Sequence, residues 1–313
     1  MGRYLLQRLG LVVATLLLAS LLVFGLLQLL PGDPALALAG EQRDPAVIEY
    51  IRQRYHLDQP LPLRYLLWLG GVLQGDLGQS VRFERPVAAL ILQKFPVTLE
   101  LASCAMIIAL MIGIPTGVLA AVKRDSVWGS AARGFALWGL STPNFVLGVL
   151  FILLFSRTLH WLPASGYVSP AESLGRNLAA LVMPSFVLGN AIAAVIMRHT
   201  RAAMLQALGS DYVRTARAKG LSEARIVLRH ALPNALQPVI TLGALEFGAL
   251  LSGTVLTEQV FSIPGFGKLI VDAIFNRDYP ILQGGVLVTA TVYTLLNLAA
   301  DLLYAALNPR LRG

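Results

Sequence analysis

The chain has 313 residues, of which 56% are hydrophobic and only 13% charged. A soluble domain of average composition carries about 25% charged residues, so polar surface cannot cover a globule of this size, which argues against a soluble enzyme. The net charge of +8, from 25 basic and 17 acidic residues, would suit nucleic acid, but the placement of the charges decides otherwise.

A bilayer-crossing helix needs about 20 predominantly apolar residues. In chain order, runs free of Asp, Glu, Lys and Arg cover 9–32, 101–122, 134–156, 177–197 and 281–300, and a further run, 231–257, is interrupted only by Glu246. They predict an all-α polytopic membrane protein of six transmembrane helices, with an outer helical segment between the first two and a basic inner loop between the fourth and fifth. Pro115 and Pro143 fall inside predicted spans, where neighbouring helices can re-satisfy the freed backbone groups. The first run follows Arg3 and Arg8, and Ala37-Leu38-Ala39 resembles a cleavage site. Its apolar stretch is well over the roughly 7–15 residues of a signal core, so an uncleaved anchor is expected. Cys104 is the single cysteine, which excludes an intramolecular disulfide framework and a Cys-based zinc cluster; inside an uncharged run it reads as a packing residue.

With the N-terminus inside, the inner segments hold 14 basic residues against four acidic ones, and the outer segments 11 against 12. The basic surplus is therefore a topology signal. The expected organisation is 1–32 as N-terminal tail and first span, 33–98 as an outer segment, and 99–313 as a five-helix core with the inner loop at 198–232. In the outer segment, Asp44 and Pro45 open a helix to about Tyr55. Pro62 opens a second at 63–73, apolar enough through Leu66, Leu67, Trp68, Leu69 and Val72 to lie on a membrane or a neighbour, with Gly70, Gly71, Gly75 and Asp76 weakening and ending it.

In the inner loop, Ser210 is the expected N-cap of a helix over 211–219 that Gly220 stops. Ser222 caps a second helix with Glu223 in its first turn, and Pro233 marks the next boundary. Tyr212, Thr215, Ala216 and Lys219 share one helix side at i, i+3, i+4, i+7. That side suits either the close approach of another protein or a loop held near anionic lipid by seven basic residues; spacing alone leaves both open.

The run 211–225 (DYVRTARAKGLSEAR), continuing to His230, Leu232 and Pro233, resembles the coupling-loop motif of binding-protein-dependent ABC importer permeases, E-A-A, three residues, G, nine residues, I-x-L-P. Gly220, Leu232 and Pro233 match at the motif's spacing, as does Ala216; Arg214, Thr215 and His230 depart from it. The Arg-Thr-Ala form is similar to the peptide and nickel branch. Segments 57–61, 64–65, 68–69, 75–78 and Ser80 resemble the outer N-terminal segment of dipeptide and oligopeptide permeases. Residues 30–34, 141–145, Glu258 with 261–267, and 308–312 also fit, so the resemblance runs end to end.

The resemblance implies one pore subunit of an ATP-driven importer in a bacterial inner membrane, moving di- or oligopeptides by alternating access, with nickel, glutathione or metal chelates as alternative cargo. It implies a second homologous permease subunit, two ATP-binding-cassette ATPases carrying ATP and Mg, a periplasmic or lipid-anchored binding protein, contact with membrane lipid, and no nucleic acid. Tyr212, Thr215, Ala216, Lys219, Gly220, Leu221, Leu232 and Pro233 become the expected ATPase-coupling residues. No catalytic, cofactor or metal residues are expected on this chain. The sequence contains no G-x-x-x-x-G-K-[ST], and its nearest lookalike, at 265–268, lacks the first glycine and the Ser/Thr. The four histidines lack H-E-x-x-H spacing. A self-contained carrier is the competing class, but the P-x-[DE]-x-x-[KR] repeat of mitochondrial carriers does not occur. Glu246, the one acidic residue inside a run, is either a pathway residue or an interhelical anchor. Asn144, Asn190 and Asn297 read as interhelical hydrogen-bonding residues.

Overall fold

The computed structural model describes residues 2–29, 35, 44–54 and 58–307, nearly all of them helical. The expected features at 30–34, 37–39, Tyr55 to Leu57 and 308–312 lie outside the described residues. The chain divides into two compact units, Met1–Pro96 with Gly265–Leu295, and Val97–Pro264 with Leu296–Gly313.

In the first unit, α1 (Gly2–Gln28) leaves Leu6, Leu11, Leu22 and Leu26 exposed, the surface of a helix solvated by lipid tails. α2 (Pro45–Arg54) starts as predicted: the Ala46 N–H donates to Asp44 Oδ1 at 2.9 Å, and Pro45 has no N–H to satisfy. α3 (Leu61–Leu73) lays Tyr65 and Trp68 against Phe24 of α1, with ring centroids 5.5 and 5.9 Å apart. Tyr65 Oη also lies 2.8 Å from Ser20 Oγ. Gly70 and Gly71 sit inside α3 without ending it; the turn comes at Gly75, whose φ is +84°.

The core of this unit joins Val87, Leu90 and Ile91, at the start of α4 (Val87–Val122), to two later helices. These contribute Phe266, Leu269 and Ala273 from α12 (Phe266–Asn276) and Ile281 and Leu282 from α13 (Tyr279–Leu307). Asp278 fixes the start of α13. Its buried carboxylate accepts from Ser80 Oγ at 2.6 Å, from the Arg82 N–H at 3.2 Å and from the Ile281 N–H at 3.3 Å. One capping side chain thus ties loop 76–86 to the helix that follows it in space.

In the second unit α7 (Leu174–Leu208) is the most buried of the long apolar helices. Lipid tails are as apolar as leucine, so helices in a membrane associate chiefly where small residues let backbones approach. That condition is met between α4 and α7. A Cβ added to Gly113 would lie 2.8 Å from Ala193 O, one on Gly117 2.7 Å from Met197 O, and one on Gly189 2.6 Å from Ala105 O. On another side of α7, buried Asn190 donates from Nδ2 to Gly139 O of α5 (Val127–Ser141) at 3.4 Å, as expected of a hydrogen-bonding residue between helices.

Among the described residues, five helices are long and apolar enough to cross a membrane: Leu6–Gln28, Val87–Val122, Leu174–Leu208, Glu223–Leu251 and Tyr279–Leu302. The expected span at 134–156 is not continuous. α5 ends at Ser141, Thr142 is extended at φ −92° and ψ 118°, and α6 (Asn144–Phe151) begins anew after Pro143, running on through a π-helical turn (Ile152–Thr158). The proline ring disfavours helical dihedrals at the residue before it, which splits the span into two shorter helices. The second span, expected from 101, is longer than its charge-free run. It begins at Val87, and Lys94 and Glu100 lie on the same helix.

The glycine contact sets a stability test. Gly189→Ala forces a methyl group into a backbone carbonyl and should lower the melting temperature in detergent, at a cost of about 1–3 kcal/mol for overpacking. Gly175→Ala, on the same helix with nothing within 4 Å of the added Cβ, should melt no lower than the parent. Equal melting of the two variants would show that α4 and α7 are not in close backbone contact.

Candidate functional site

The segment after α7 folds as a hairpin. α8 (Asp211–Ala218) ends at Gly220, where φ is +76°. The Leu221 N–H donates to Ala216 O at 3.3 Å and the Gly220 N–H to Arg217 O at 2.9 Å, the paired bonds of a glycine C-cap. No atom lies within 4 Å of a Cβ built on Gly220, so the demand for glycine comes from the left-handed backbone alone. Ser210 and Ser222 stand at the two N-cap positions without side-chain capping bonds; Ser210 Oγ instead donates back to Ala207 O.

The chain then continues through α9 (Glu223–Arg225), a π-helical turn (Ile226–Ala231) and α10 (Leu232–Gly253). Pro233 was expected at a helix boundary, yet it lies in the first turn of α10 with helical backbone on both sides. The preceding π turn explains this. A proline lacks the N–H of an α-helical bond and its ring crowds the carbonyl four residues back; a wider turn relieves both.

The hairpin has its own small core. Val213, Ala216 and Ile226 are buried against one another, with Leu221 half-buried beside them. Ala216 is therefore not on an open side with Tyr212, Thr215 and Lys219, as the i, i+3, i+4, i+7 reading expected. It faces Ile226 of the same chain, while those three are exposed. Helical spacing alone cannot say which flank the returning strand of a hairpin covers. Leu232 packs with a separate cluster that includes Ala121, Met204, Ala207, Val227 and Ala231, so the hairpin's second arm is anchored on the ends of α4 and α7.

Two ion pairs shape the outside. Arg217 grips Glu223 across the glycine turn, Nε to Oε1 at 2.7 Å and Nη2 to Oε2 at 3.3 Å. Arg214 pairs with Asp211 at 3.2 Å within α8. Tyr212 Oη accepts from Asn234 Nδ2 at 3.3 Å, which aims the ring.

Glu246 lies on α10, thirteen residues past Pro233 and so about 20 Å along the helix from the hairpin. It is half-exposed. The carboxylate that is fully buried in this unit is Glu258, on α11 (Val255–Val260), which accepts from Thr98 Oγ1 at 2.6 Å. The sequence reading named Glu258 only within the resemblance and gave it no structural role, because it lies one residue beyond the charge-free run; Thr254 and Thr257 beside it are both buried. Two residues past Thr98, Glu100 Oε2 accepts from Tyr167 Oη at 2.7 Å. Burial, and then the hydrogen bond and charge of Glu100, push the Tyr167 phenol up to about 12. The raised value favours the folded chain below the ordinary phenol range, an advantage lost as pH climbs toward that value. Among the described residues no group of three or more His, Cys, Asp and Glu is placed to hold a metal ion.

Glu258→Leu removes the buried side chain that accepts from Thr98 Oγ1, a loss of about 1 kcal/mol for the hydrogen bond. Glu258→Gln keeps a carbonyl for the same hydroxyl and should melt closer to the parent. A leucine variant as stable as the parent would refute a structural role for this hydrogen bond.

Residues 113–313 match the family described as "Binding-protein-dependent transport system inner membrane component", and residues 1–102 match its N-terminal counterpart. The chain is 43% identical to the dipeptide transport system permease protein DppB of Escherichia coli (strain K12), over 100% of this chain and 99% of that one. It is 44% identical to the di/tripeptide transport system permease protein DppB of Pseudomonas aeruginosa (strain UCBPP-PA14), over 98% and 97%. It is also 44% identical to the glutathione transport system permease protein GsiC of Pectobacterium atrosepticum, over 100% and 99%. Its fold is similar to that of a chain in a structure of the MetNI methionine ABC transporter in inward-facing conformations, with a TM-score of 0.59 at 19% identity over 70% of this chain and 96% of that one. The charge-poor helices, the glycine-turned hairpin and these end-to-end matches agree that the chain belongs to the inner membrane components of binding-protein-dependent transport systems, the permease subunits of ABC importers.

Proposed function

We propose that this permease imports di- or oligopeptides, with the hairpin at 210–231 as the point where ATPase motion enters the membrane. The observation that carries the peptide reading is the full-length match to dipeptide permeases, which extends through the outer N-terminal segment as well as the core. A glutathione cargo is the second reading, since a glutathione permease matches over the same length and glutathione is itself a peptide.

ATP is hydrolysed on two separate ATPase subunits, which hold ATP and Mg; this chain supplies no catalytic residues. A second homologous permease completes the pore, and a binding protein delivers cargo to the outer face. When the ATPases close, the hairpin moves with them, and the helices anchored at its base turn the pore from inward-open to outward-open. Such rigid-body motion needs a hairpin that transmits force without bending. The glycine C-cap, the bidentate Arg217–Glu223 pair and the Val213–Ala216–Ile226 core support that requirement. Tyr212, Thr215 and Lys219 contact the ATPase; Ala216, Gly220 and Leu221 hold the hairpin's shape; Leu232 and Pro233 join it to the span. Glu246 is an interhelical or pathway residue apart from coupling. Residues 1–32 form the tail and first span, 33–98 a periplasmic segment that passes into α4, and 99–313 the core.

The complete importer in proteoliposomes should take up labelled dipeptide only with ATP on the hairpin side and binding protein on the other. Uptake of glutathione without uptake of dipeptides would replace the first reading with the second, and uptake without ATPases would sink both. Orientation is tested with single cysteines at Gln53 and Ala218 in a Cys104→Ser background. In intact cells an impermeant thiol reagent should label the first and spare the second; labelling of both would overturn the cytoplasmic placement of the hairpin.

A further inference from the structure

The outside of the hairpin is more basic than its ion pairs can neutralise. Between 210 and 231 the sequence carries Arg214, Arg217, Lys219, Arg225 and Arg229 against only Asp211 and Glu223. Both carboxylates are already engaged, Asp211 by Arg214 and Glu223 by Arg217. Lys219, Arg225 and Arg229 are exposed and have no carboxylate partner among the described residues. Three exposed cations therefore stand on one short, internally braced element, beside the exposed side chains of Tyr212 and Leu228.

Two surfaces could accept such an element, an anionic membrane face or an acidic protein groove, and the packing of α8 separates them. A helix that lies on a membrane turns its apolar face to the lipid and its cations to the headgroups. α8 turns its apolar residues, Val213 and Ala216, inward onto Ile226, and shows Tyr212, Thr215 and Lys219 outside. Its apolar face is already occupied, so lipid could offer it charge but no insertion. The hairpin also has a defined shape, fixed by the φ of +76° at Gly220 and by the bidentate pair across the turn. Such a shape adds nothing against a fluid surface, whereas it adds specificity against a complementary one.

We infer that the ATPase surface receiving this hairpin is acidic, presenting carboxylates to Lys219, Arg225 and Arg229 and an apolar recess to the Tyr212 ring. This inference rests on the coupling reading above and adds to it the chemistry of the partner. It makes docking salt-sensitive, because exposed charge pairs weaken as the Debye length shortens from about 10 Å at 0.1 M salt to about 3 Å at 1 M.

The test uses the complete importer, with its own ATPase and permease subunits, in nanodiscs. A cysteine at Thr215 first reports whether the hairpin touches an ATPase, by disulfide cross-linking to cysteines placed around the ATPase groove. ATPase retention is then measured against salt for the parent and for a Lys219→Glu, Arg225→Glu, Arg229→Glu triple variant, in discs of anionic phosphatidylglycerol and of neutral phosphatidylcholine. The expected result is cross-linking, salt-dependent loss of ATPase from the parent in both lipids, and at least tenfold weaker retention of the triple variant. Cross-linking with retention unchanged by salt or by charge reversal would overturn the acidic groove and leave the coupling reading standing. Absence of cross-linking at Thr215 would overturn the coupling reading and this inference together. Retention that depends on anionic lipid in the parent and loses that dependence in the triple variant would assign the cations to the membrane and overturn the acidic groove. Should the triple variant fail to insert, the salt titration of the parent still decides, since salt-insensitive retention contradicts the inference by itself.

Discussion

The second unit depends on the approach of two helix backbones at Gly113, Gly117 and Gly189. Each of these glycines leaves less than 3 Å between a would-be Cβ and a carbonyl oxygen of the facing helix. In lipid there is no hydrophobic gain in moving a leucine from tails to protein, so association must come from contact density and from hydrogen bonds. Glycines provide the first by removing the atoms that would hold the backbones apart. Asn190 provides the second on another side of α7, reaching Gly139 O. With two sides so used, α7 becomes the spine to which α4 and α5 are fitted, and from whose C-terminal end the hairpin emerges.

The hairpin continues that framework. Met204 and Ala207 near the end of α7, Ala121 near the end of α4, Val227 and Ala231 in the π-helical turn, and Ala235 at the start of α10 form one apolar cluster. The core of α8 reaches Ile226, and the adjacent Val227 belongs to that cluster, the packing on which the coupling reading proposed above relies. The π-helical turn between Ile226 and Ala231 lets the second arm run into α10 with Pro233 present. Had the proline ended the helix, a loop would separate the hairpin from the span, and a push on α8 would be absorbed there. One wide turn thus turns a sequence-level helix breaker into part of a continuous helix.

Buried charge in the chain is organised differently from what the apolar runs suggest. Glu246 interrupts a span but is half-exposed on α10. Glu258 and Asp278 lie outside the apolar runs, yet both are fully buried and hydrogen-bonded, to Thr98 and to Ser80 respectively. Each ties segments more than 150 residues apart in sequence, with separations of 160 and 198. Carboxyl groups at such positions act as cross-links between segments, since a polar group out of water must keep its hydrogen-bond partners.

The sequence by itself determined the class of molecule, most of the spans, the N-terminus of α2 at Asp44 and the glycine turn at Gly220. These follow from local rules: apolar length against bilayer thickness, side-chain caps, and a left-handed backbone that favours glycine. The family was legible in the spacing of Gly220, Leu232 and Pro233, which survives although Arg214, Thr215 and His230 depart from the motif. What only the tertiary structure decided was which neighbour each side chain meets. It split the third run at Thr142–Pro143, carried α10 through Pro233, turned Ala216 inward, and buried Glu258 in place of Glu246. Periodicity assigns a residue to a face of its own helix, whereas burial depends on a second element that can come from anywhere in the chain; that second element is absent from any local window of sequence.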